Sequence, residues 1–466
     1  MLRRRLPDLL SLALLFVLPL LMFGQQTLGG RTLLPAENLY QTEPYATYRE
    51  QLGVPAIPHN HLLDDLVLEN LQWKSFIRAS FAQGEFPLWN PHQFAGIPFF
   101  AAGQPSTLYP FSILYYVLDL AAAYGWFTVV QLWLAGAFMY AFVRGLHVGR
   151  FGALVAGVTY QLSAFFVISA VFPMIIASAA WLPLLLLMTE YVIRQQPAFK
   201  GRPTTAVWVI IGAVALGCNI LAGHVEITYY TLIITAYYAA ARLGWELWNA
   251  SGERARHALP LRQTIVHVVT RGVWLAVMVG LGLGLGAVQV VPLFEVVRVN
   301  FRSDSASFDQ VLTWAHPVRD VLQFVMPNFY GNPAHHSYFD VFSGQTVSLI
   351  DTVVNNLNGA RIVHTDWGMK NYVEGALYLG ILPLALAIYG LTAKAQTLST
   401  TLTQSEAEKQ PPYRRIFAIL ALLGLTFMLG LPTYALLYYR FPGINQLHAL
   451  FRWIFAVTLC VAVLAG

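Results

Sequence analysis

Residues 122–143 read Ala-Ala-Tyr-Gly-Trp-Phe-Thr-Val-Val-Gln-Leu-Trp-Leu-Ala-Gly-Ala-Phe-Met-Tyr-Ala-Phe-Val and contain no Asp, Glu, Lys or Arg. As an α-helix rising 1.5 Å per residue the run is about 33 Å long, which matches the ~30 Å hydrocarbon core of a bilayer. Comparable apolar runs recur on both sides of it, near 8–24, 151–170, 173–193, 205–222, 225–241, 272–297, 375–393, 415–431 and 453–466. A shorter apolar piece at 108–118 reads as a re-entrant or interfacial helix. The chain of 466 residues is 57% hydrophobic and 11% charged, against about 25% charge in soluble domains. An all-α polytopic membrane protein of about ten transmembrane helices is therefore predicted, built as one membrane domain over 1–466. Arg3-Arg4-Arg5 precedes the first run and no small-x-small cleavage site follows it, so this run reads as an uncleaved first helix. The sequence stops at Gly466 inside an apolar run that has just begun, which reads as the N-terminal part of a longer chain.

Basic residues set the orientation. With the N-terminus in the cytoplasm, the inner segments hold seventeen of the 28 Lys and Arg residues, mostly in short loops. The pI near 9.1 then reflects anchoring to anionic lipid on the inside, and no nucleic-acid partner is needed to explain it. Cys218 and Cys460 both lie in apolar runs and suit small buried core positions rather than a disulfide or metal site. Gly280-Leu-Gly-Leu-Gly-Leu-Gly286 alternates small residues inside a span, a pattern for close helix packing. It lacks the strand-turn-helix setting of a nucleotide fingerprint.

Two long outer loops remain, at about 25–107 and 299–373; the inner segment 394–414 is a polar linker. The first loop begins irregularly, with Pro35, Pro44, Pro55 and Pro58. A helical pattern follows from Asp65 to Phe81, apolar at Leu66, Leu68, Leu71, Trp73, Phe76, Ile77 and Phe81. Such a helix could lie along the membrane surface, with Asp64 or Asp65 as its cap. Next comes Gly84-Glu85-Phe86-Pro87-Leu88-Trp89-Asn90-Pro91, whose two prolines enforce an extended, rigid stretch.

The alternating topology delivers five polar clusters to the outer face: Asp64-Asp65; Gly223-His224-Val225-Glu226 with Tyr229-Tyr230; Pro292 and Glu295; Asn371-Tyr372-Val373-Glu374; and Pro442-Gly443 through His448 to Arg452. Asp65, at the head of a helix beside apolar surface, suits a general base that accepts a proton from an attacking hydroxyl; its ordinary alternative is a helix cap. Asp64 could contact substrate or share that capping role. His59, His61, Asp64 and Asp65 could together bind a divalent metal, although their spacing matches no standard motif. His224 and Glu226, two apart, share no face of a continuous helix; at an irregular junction both can face a polar cavity, and otherwise they mark a turn. Arg452 beside Trp453 is either an interface anchor or a partner for phosphate. Glu295 and Glu374 are helix-end carboxylates, solvated unless a site claims them. Trp89 and Asn90 read as shaping the loop rather than reacting.

At these residues the chain resembles the YfhO-like family of bacterial membrane proteins, related to the GT-C superfamily of membrane glycosyltransferases. The resemblance is carried by Asp65-Leu66-Val67-Leu68 leading to Trp73, by Gly84 through Pro91 to Gly96-Ile97-Pro98-Phe99, and by Tyr109-Pro110. It continues through Gly223-His224-Val225-Glu226, Asn371-Tyr372-Val373-Glu374-Gly375 and Pro442-Gly443. The chain departs from the family pattern at Glu69, where Gln is usual, at Gln72, where Pro is usual, and at His448, where an Arg-rich stretch is common. The resemblance implies a GT-C-like fold and transfer of a sugar from a polyprenyl-phosphate carrier to an extracytoplasmic acceptor at the cell membrane. It implies Asp65 as general base, with Asn371, Tyr372, Glu374, His224 and Arg452 lining the site or holding the carrier phosphate. A lipid-linked donor would also explain the missing nucleotide motif. Two other classes compete. A lipid or polysaccharide transporter needs polar residues within the spans, of which Gln131, Gln161 and Asn219 are few. A non-catalytic envelope-assembly protein requires no cavity around Asp65.

Overall fold

The computed structural model describes residues 2–55, 60, 63–196, 205–251, 261–299, 306–334, 336–348, 350–354, 361–363, 372–374, 376–393, 411–447 and 449–466. The principal helices are α1 (Leu2–Met22), α2 (Leu71–Ala82), α3 (Leu120–Gly145), α4 (Arg150–Gln161), α5 (Leu182–Arg194), α6 (Thr205–Leu221), α7 (Val225–Ser251), α8 (Leu261–Val297), α9 (Ile381–Thr392), α10 (Tyr413–Met428) and α11 (Ile454–Ala465). A helix lies in each of the ten apolar segments, as their composition demands. Among the described residues, four stretches are long and apolar enough to cross a membrane: Leu120–Gly145, Arg150–Val171, Pro173–Arg194 and Leu261–Val297. Shorter apolar helices occur at Leu6–Met22, Thr205–Leu221, Ile381–Thr392 and Leu450–Ala465. A mostly helical fold suited to a membrane results. Among the described residues the strands form three two-stranded antiparallel pairs: β1 (Trp89–Asn90) with β2 (Ile97–Pro98), β3 (Ser337–Asp340) with β4 (Gln345–Ser348), and β5 (Ile350–Val354) with β6 (Arg361–Val363).

Local chemistry explains the helix ends. Asp119 caps α3 by accepting from the Ala121 N–H at 2.9 Å, and the left-handed Gln195 closes α5. The core binds α1, α3, α4, α5, α7, α10 and α11 through side chains such as Leu15, Met139, Tyr160, Leu186, Tyr238, Phe417 and Phe455, all buried. Small residues bring α6 and α8 together. A Cβ on Gly282 or Gly286 would stand 2.7 Å from side-chain carbons of Leu216 or Ile220, whereas Gly280 and Gly284 have nothing within 4 Å. Half of the alternating glycines thus serve packing. Cys218 and Cys460 are buried free thiols.

Buried amides within the bundle each make one bond to a neighbouring segment and leave their other polar atom without a partner among the described residues. Gln131 accepts from the Tyr109 hydroxyl at 2.7 Å. Gln161 donates to the Leu15 carbonyl at 3.1 Å, and Asn219 to the Ser178 carbonyl at 2.7 Å. The last two tie helices together, and the first ties α3 to the segment that precedes it. At one end of the bundle Asp8 of α1 pairs with Arg150 at 3.0 Å and lies 3.6 Å from Arg144. The opposite end carries the first loop and is called the loop end below.

Candidate functional site

The first loop is lashed to the turn between α6 and α7. Ser106 Oγ donates to the Ala222 carbonyl at 2.7 Å. Gly223 follows at φ +90°, and a Cβ on it would sit 2.4 Å from the Gly103 carbonyl oxygen. Only glycine permits that approach. On the other side, Lys74 of α2 is buried and donates to the Pro105 carbonyl at 2.6 Å, with its Nζ 4.6 Å from the Tyr115 ring centre. Burial pushes the Lys74 ammonium down to about 7. Asn70 accepts from the Tyr124 hydroxyl at 2.8 Å. These contacts seat α2 on the end of the bundle. Its inward face carries Lys74, Ile77 and Ser80, while Phe81 and the preceding Leu68 stay exposed.

Ahead of α2 runs a π-helical turn, Leu66–Asn70, a wide geometry that recurs at functional sites. Asp65 enters this turn with helical dihedrals and makes no capping bond. The expected cap is therefore absent: a residue already inside the helix points its side chain away from the first free N–H groups. Asp64 is taken up elsewhere, accepting from Asn38 Nδ2 at 2.5 Å. It holds the early loop in place.

A cavity of about 190 Å³ lies at this end, lined by Asp65, Leu66, Glu69, Asn70, Trp73, Gln104, the turn Val171–Ile175, His224, Glu374 and Arg452. Four residues that the sequence singled out thus meet: Asp65, His224, Glu374 and Arg452. A narrower apolar annex, with Phe165, Phe172 and Phe451 in its wall, shares Phe172, Ile175, Glu374 and Arg452 with the main cavity. Glu226 does not line the main cavity but reaches it through Arg452, whose Nη1 donates to Glu226 Oε2; Arg452 Nη2 lies 3.5 Å from Glu374 Oε1. The Tyr230 hydroxyl donates to the other Glu226 oxygen at 2.8 Å. Tyr229 donates to the Pro442 carbonyl at 2.5 Å, so the Pro442-Gly443 motif positions the segment before Arg452.

His224 Nδ1 accepts from the Ile227 N–H at 3.2 Å, which caps α7 and puts the ring proton on Nε2. Burial first, and the Arg452 charge second, hold this histidine well below its ordinary range, so it is neutral. Asp65 is pushed above the usual carboxylate range by burial and then by the charge of Asp64; Glu69 is pushed up by burial and then by Asp65. Asp65 nevertheless keeps an open solvent face. Three carboxylates thus face one guanidinium across the cavity.

Other expected residues lie elsewhere. Tyr372 donates to Asn328 Oδ1 at 2.6 Å, away from the cavity lining. Glu295 is exposed on α8 and does not line it. Asn371, His59, His61 and His448 fall outside the described residues. The Gly84–Pro91 stretch builds the β1–β2 hairpin, with Phe86 against Phe100 at 5.0 Å between ring centres, and does not reach the cavity. Among the described residues no group of three or more His, Cys, Asp or Glu is placed to hold a metal ion. Sequence reasoning missed the lining roles of Glu69 and Gln104. Glu69 carries a legible signal, standing four residues after Asp65 and so on the same helix face; Gln104 carries none. No family model, no curated protein and no solved structure matches the chain.

Proposed function

We propose that this cavity is the active site of a membrane glycosyltransferase of GT-C-like architecture, with about ten spans, a cytoplasmic N-terminus and the cavity on the extracytoplasmic side. Its donor is a sugar on a polyprenyl-phosphate carrier, and its acceptor a hydroxyl of a cell-envelope polymer, lipid or protein. One observation carries the reading. Asp65, His224, Glu374 and Arg452, scattered over nearly 390 positions of sequence, line a single cavity at one end of an apolar helix bundle. An anchoring protein has no use for that convergence. A transporter is disfavoured because the amides within the bundle, Gln131, Gln161 and Asn219, are few, buried and each bonded to a neighbouring segment.

In the reaction Asp65 takes the acceptor's proton as the new oxygen–carbon bond forms at the sugar, and the bond to the carrier phosphate breaks with its electron pair on phosphate. Raising the carboxyl makes it the stronger base. Arg452 holds Glu374 only loosely, at 3.5 Å, and Nη2 is the donor that a leaving phosphate would take over. The neutral His224 offers Nε2–H to the same cavity. The test is transfer from a polyprenyl-phosphate sugar by the purified chain in lipid nanodiscs, with and without chelator. Wild type should transfer, and Asp65→Asn should lose about 10²–10⁴-fold while remaining folded. Transfer at an unaltered rate by both Asp65→Asn and Asp64→Asn would remove the enzyme reading.

A further inference from the structure

Charge divides the first loop in two. Residues 31–78 hold ten charged side chains, from Arg31 to Arg78, whereas the forty residues 79–118 hold one, Glu85. A water-facing segment of that length would carry about ten at ordinary composition. Its apolar side chains are not tucked away either: Leu88, Trp89, Ile113 and Val117 are all more than half exposed, and Phe94 is 93% exposed. Phe94 stands at the tip of the β1–β2 hairpin, where Phe94, Ala95 and Gly96 have φ of 49°, 61° and 118°. Side chains other than glycine rarely adopt that region. The tip is built, not loose. Asn90 Oδ1 accepts from the His92 N–H at 2.9 Å and its Nδ2 donates to Gln93 at 3.2 Å; the Gly96 N–H closes on the Gln93 carbonyl at 2.7 Å. The Trp89 indole lies across Gly96, so close that a Cβ there would stand 2.5 Å from Nε1.

The place of this hairpin identifies what it meets. Gln289 of α8 donates to the Phe100 carbonyl at 2.9 Å, and Gly103 backs onto the same side chain. Helix α8 is the most peripheral of the candidate spans, with 22% of its apolar window buried. Val288, Val291 and Phe294 around Gln289 are exposed. The exposed apolar surface of the hairpin therefore continues that of a lipid-facing helix. We infer that residues 84–117 dock on the bilayer surface, with Phe94 as a wedge at the boundary of headgroups and acyl chains and Trp89 beside it, a level at which aromatic rings are favoured. The apolar flank of the loop would thus be held against lipid while its charged half faces water. The inference rests on the membrane character of the bundle alone and is independent of the transferase reading.

The experiment places a nitroxide on Phe94→Cys in the full chain, reconstituted in nanodiscs, and compares its collision rates with oxygen and with a water-soluble nickel chelate. Labels on Gln51→Cys in the charged half and Leu281→Cys on the exposed face of α8 provide the references; the native thiols are buried, and the unsubstituted chain is the blank. Oxygen collisions at position 94 should exceed chelate collisions several-fold, as at 281 and unlike 51. Leu88→Cys should give the same ordering, which covers the case that the tip variant does not fold. Chelate access at 94 and 88 equal to that at 51 overturns the inference. So does spin–spin broadening from paired labels, because a second copy of the chain, not lipid, would then cover the tip.

Discussion

Each end of the bundle holds arginine paired with glutamate, and the two ends differ in everything else. Away from the loops, Glu190 accepts from Arg242 Nε and Nη2, each at 2.8 Å, from the Tyr238 and Tyr413 hydroxyls at 2.7 Å, and pairs with Arg194 at 2.5 Å. Glu190 is fully buried and Arg242 is 2% exposed. At the loop end Arg452 is partly exposed, grips Glu226 closely and Glu374 loosely, and faces Asp65 and Glu69 across an open volume. The first cluster ties α5, α7 and α10 together with every lone pair of its carboxylate occupied. The second leaves the Asp65 and Glu69 carboxylates facing the open volume. Charge inside an apolar bundle therefore does not by itself mark chemistry; spare bonding capacity next to empty space does.

The sharpest way to break this contrast is by stability. Arg242→Gln leaves Glu190 buried without its main partner and should cost about 3–5 kcal/mol, whereas Asp65→Asn should stay within about 0.5 kcal/mol of wild type. Thermal unfolding in detergent, followed by tryptophan fluorescence, measures both. If Asp65→Asn is as damaging as Arg242→Gln, the loop end is architecture too.

Arg452→Ala should weaken donor binding by roughly 10- to 100-fold in KM, the worth of a charged hydrogen bond at about 1.5–3 kcal/mol. Some loss of kcat should accompany it, because the phosphate leaves. Steady-state kinetics with varied donor separates the two, and an unchanged KM would reduce Arg452 to a brace for Glu226. Gly223→Ala should cost about 1–3 kcal/mol, since it strains a left-handed position and pushes the turn off Gly103. Activity should fall with it because His224 rides on that turn; full activity at reduced stability would detach the histidine from the mechanism.

The smallest effect concerns pH. A base must be ionised, so transfer should rise with pH through a midpoint above the usual carboxylate range. Asp64 is the second cause of that displacement. Asp64→Asn should therefore move the acidic limb of the pH–rate profile to lower pH, leaving the plateau in place. A limb that stays put would separate Asp65 from the rate-limiting proton.

Much of the fold was legible because apolar runs of bilayer length have few other uses. Asp65, His224, Glu374 and Arg452 were legible as neighbours because alternation of spans puts every second turn on one face. What escaped depends on local geometry that periodicity does not carry. Asp64 and Asp65 look alike in sequence, yet one is claimed by Asn38 and the other faces the cavity. Glu69 was read as a departure from a pattern, while the π-helical turn brings it onto the wall beside Asp65. Arg242 directly follows the apolar run 225–241, so periodicity places it at a span's end, but α7 continues past it to Ser251 and Glu190 holds it inside the bundle. The Pro-Leu-Trp-Asn-Pro stretch, the most specific motif of the resemblance, builds a hairpin that does not line the cavity.

Helix α8 has 37 residues, a rod of about 55 Å against a hydrocarbon slab of roughly 30 Å. Upright it would project from a bilayer, and a span longer than the hydrocarbon is accommodated by tilting, by kinking or by local thickening of the lipid. Near its loop end, Gln289 is bonded to the backbone at Phe100, four residues before Gln104 in the cavity wall. Thinner or thicker lipid should therefore move Gln104 relative to Asp65. The host membrane, through nothing more than its width, would then act as a ruler for the size of the cavity.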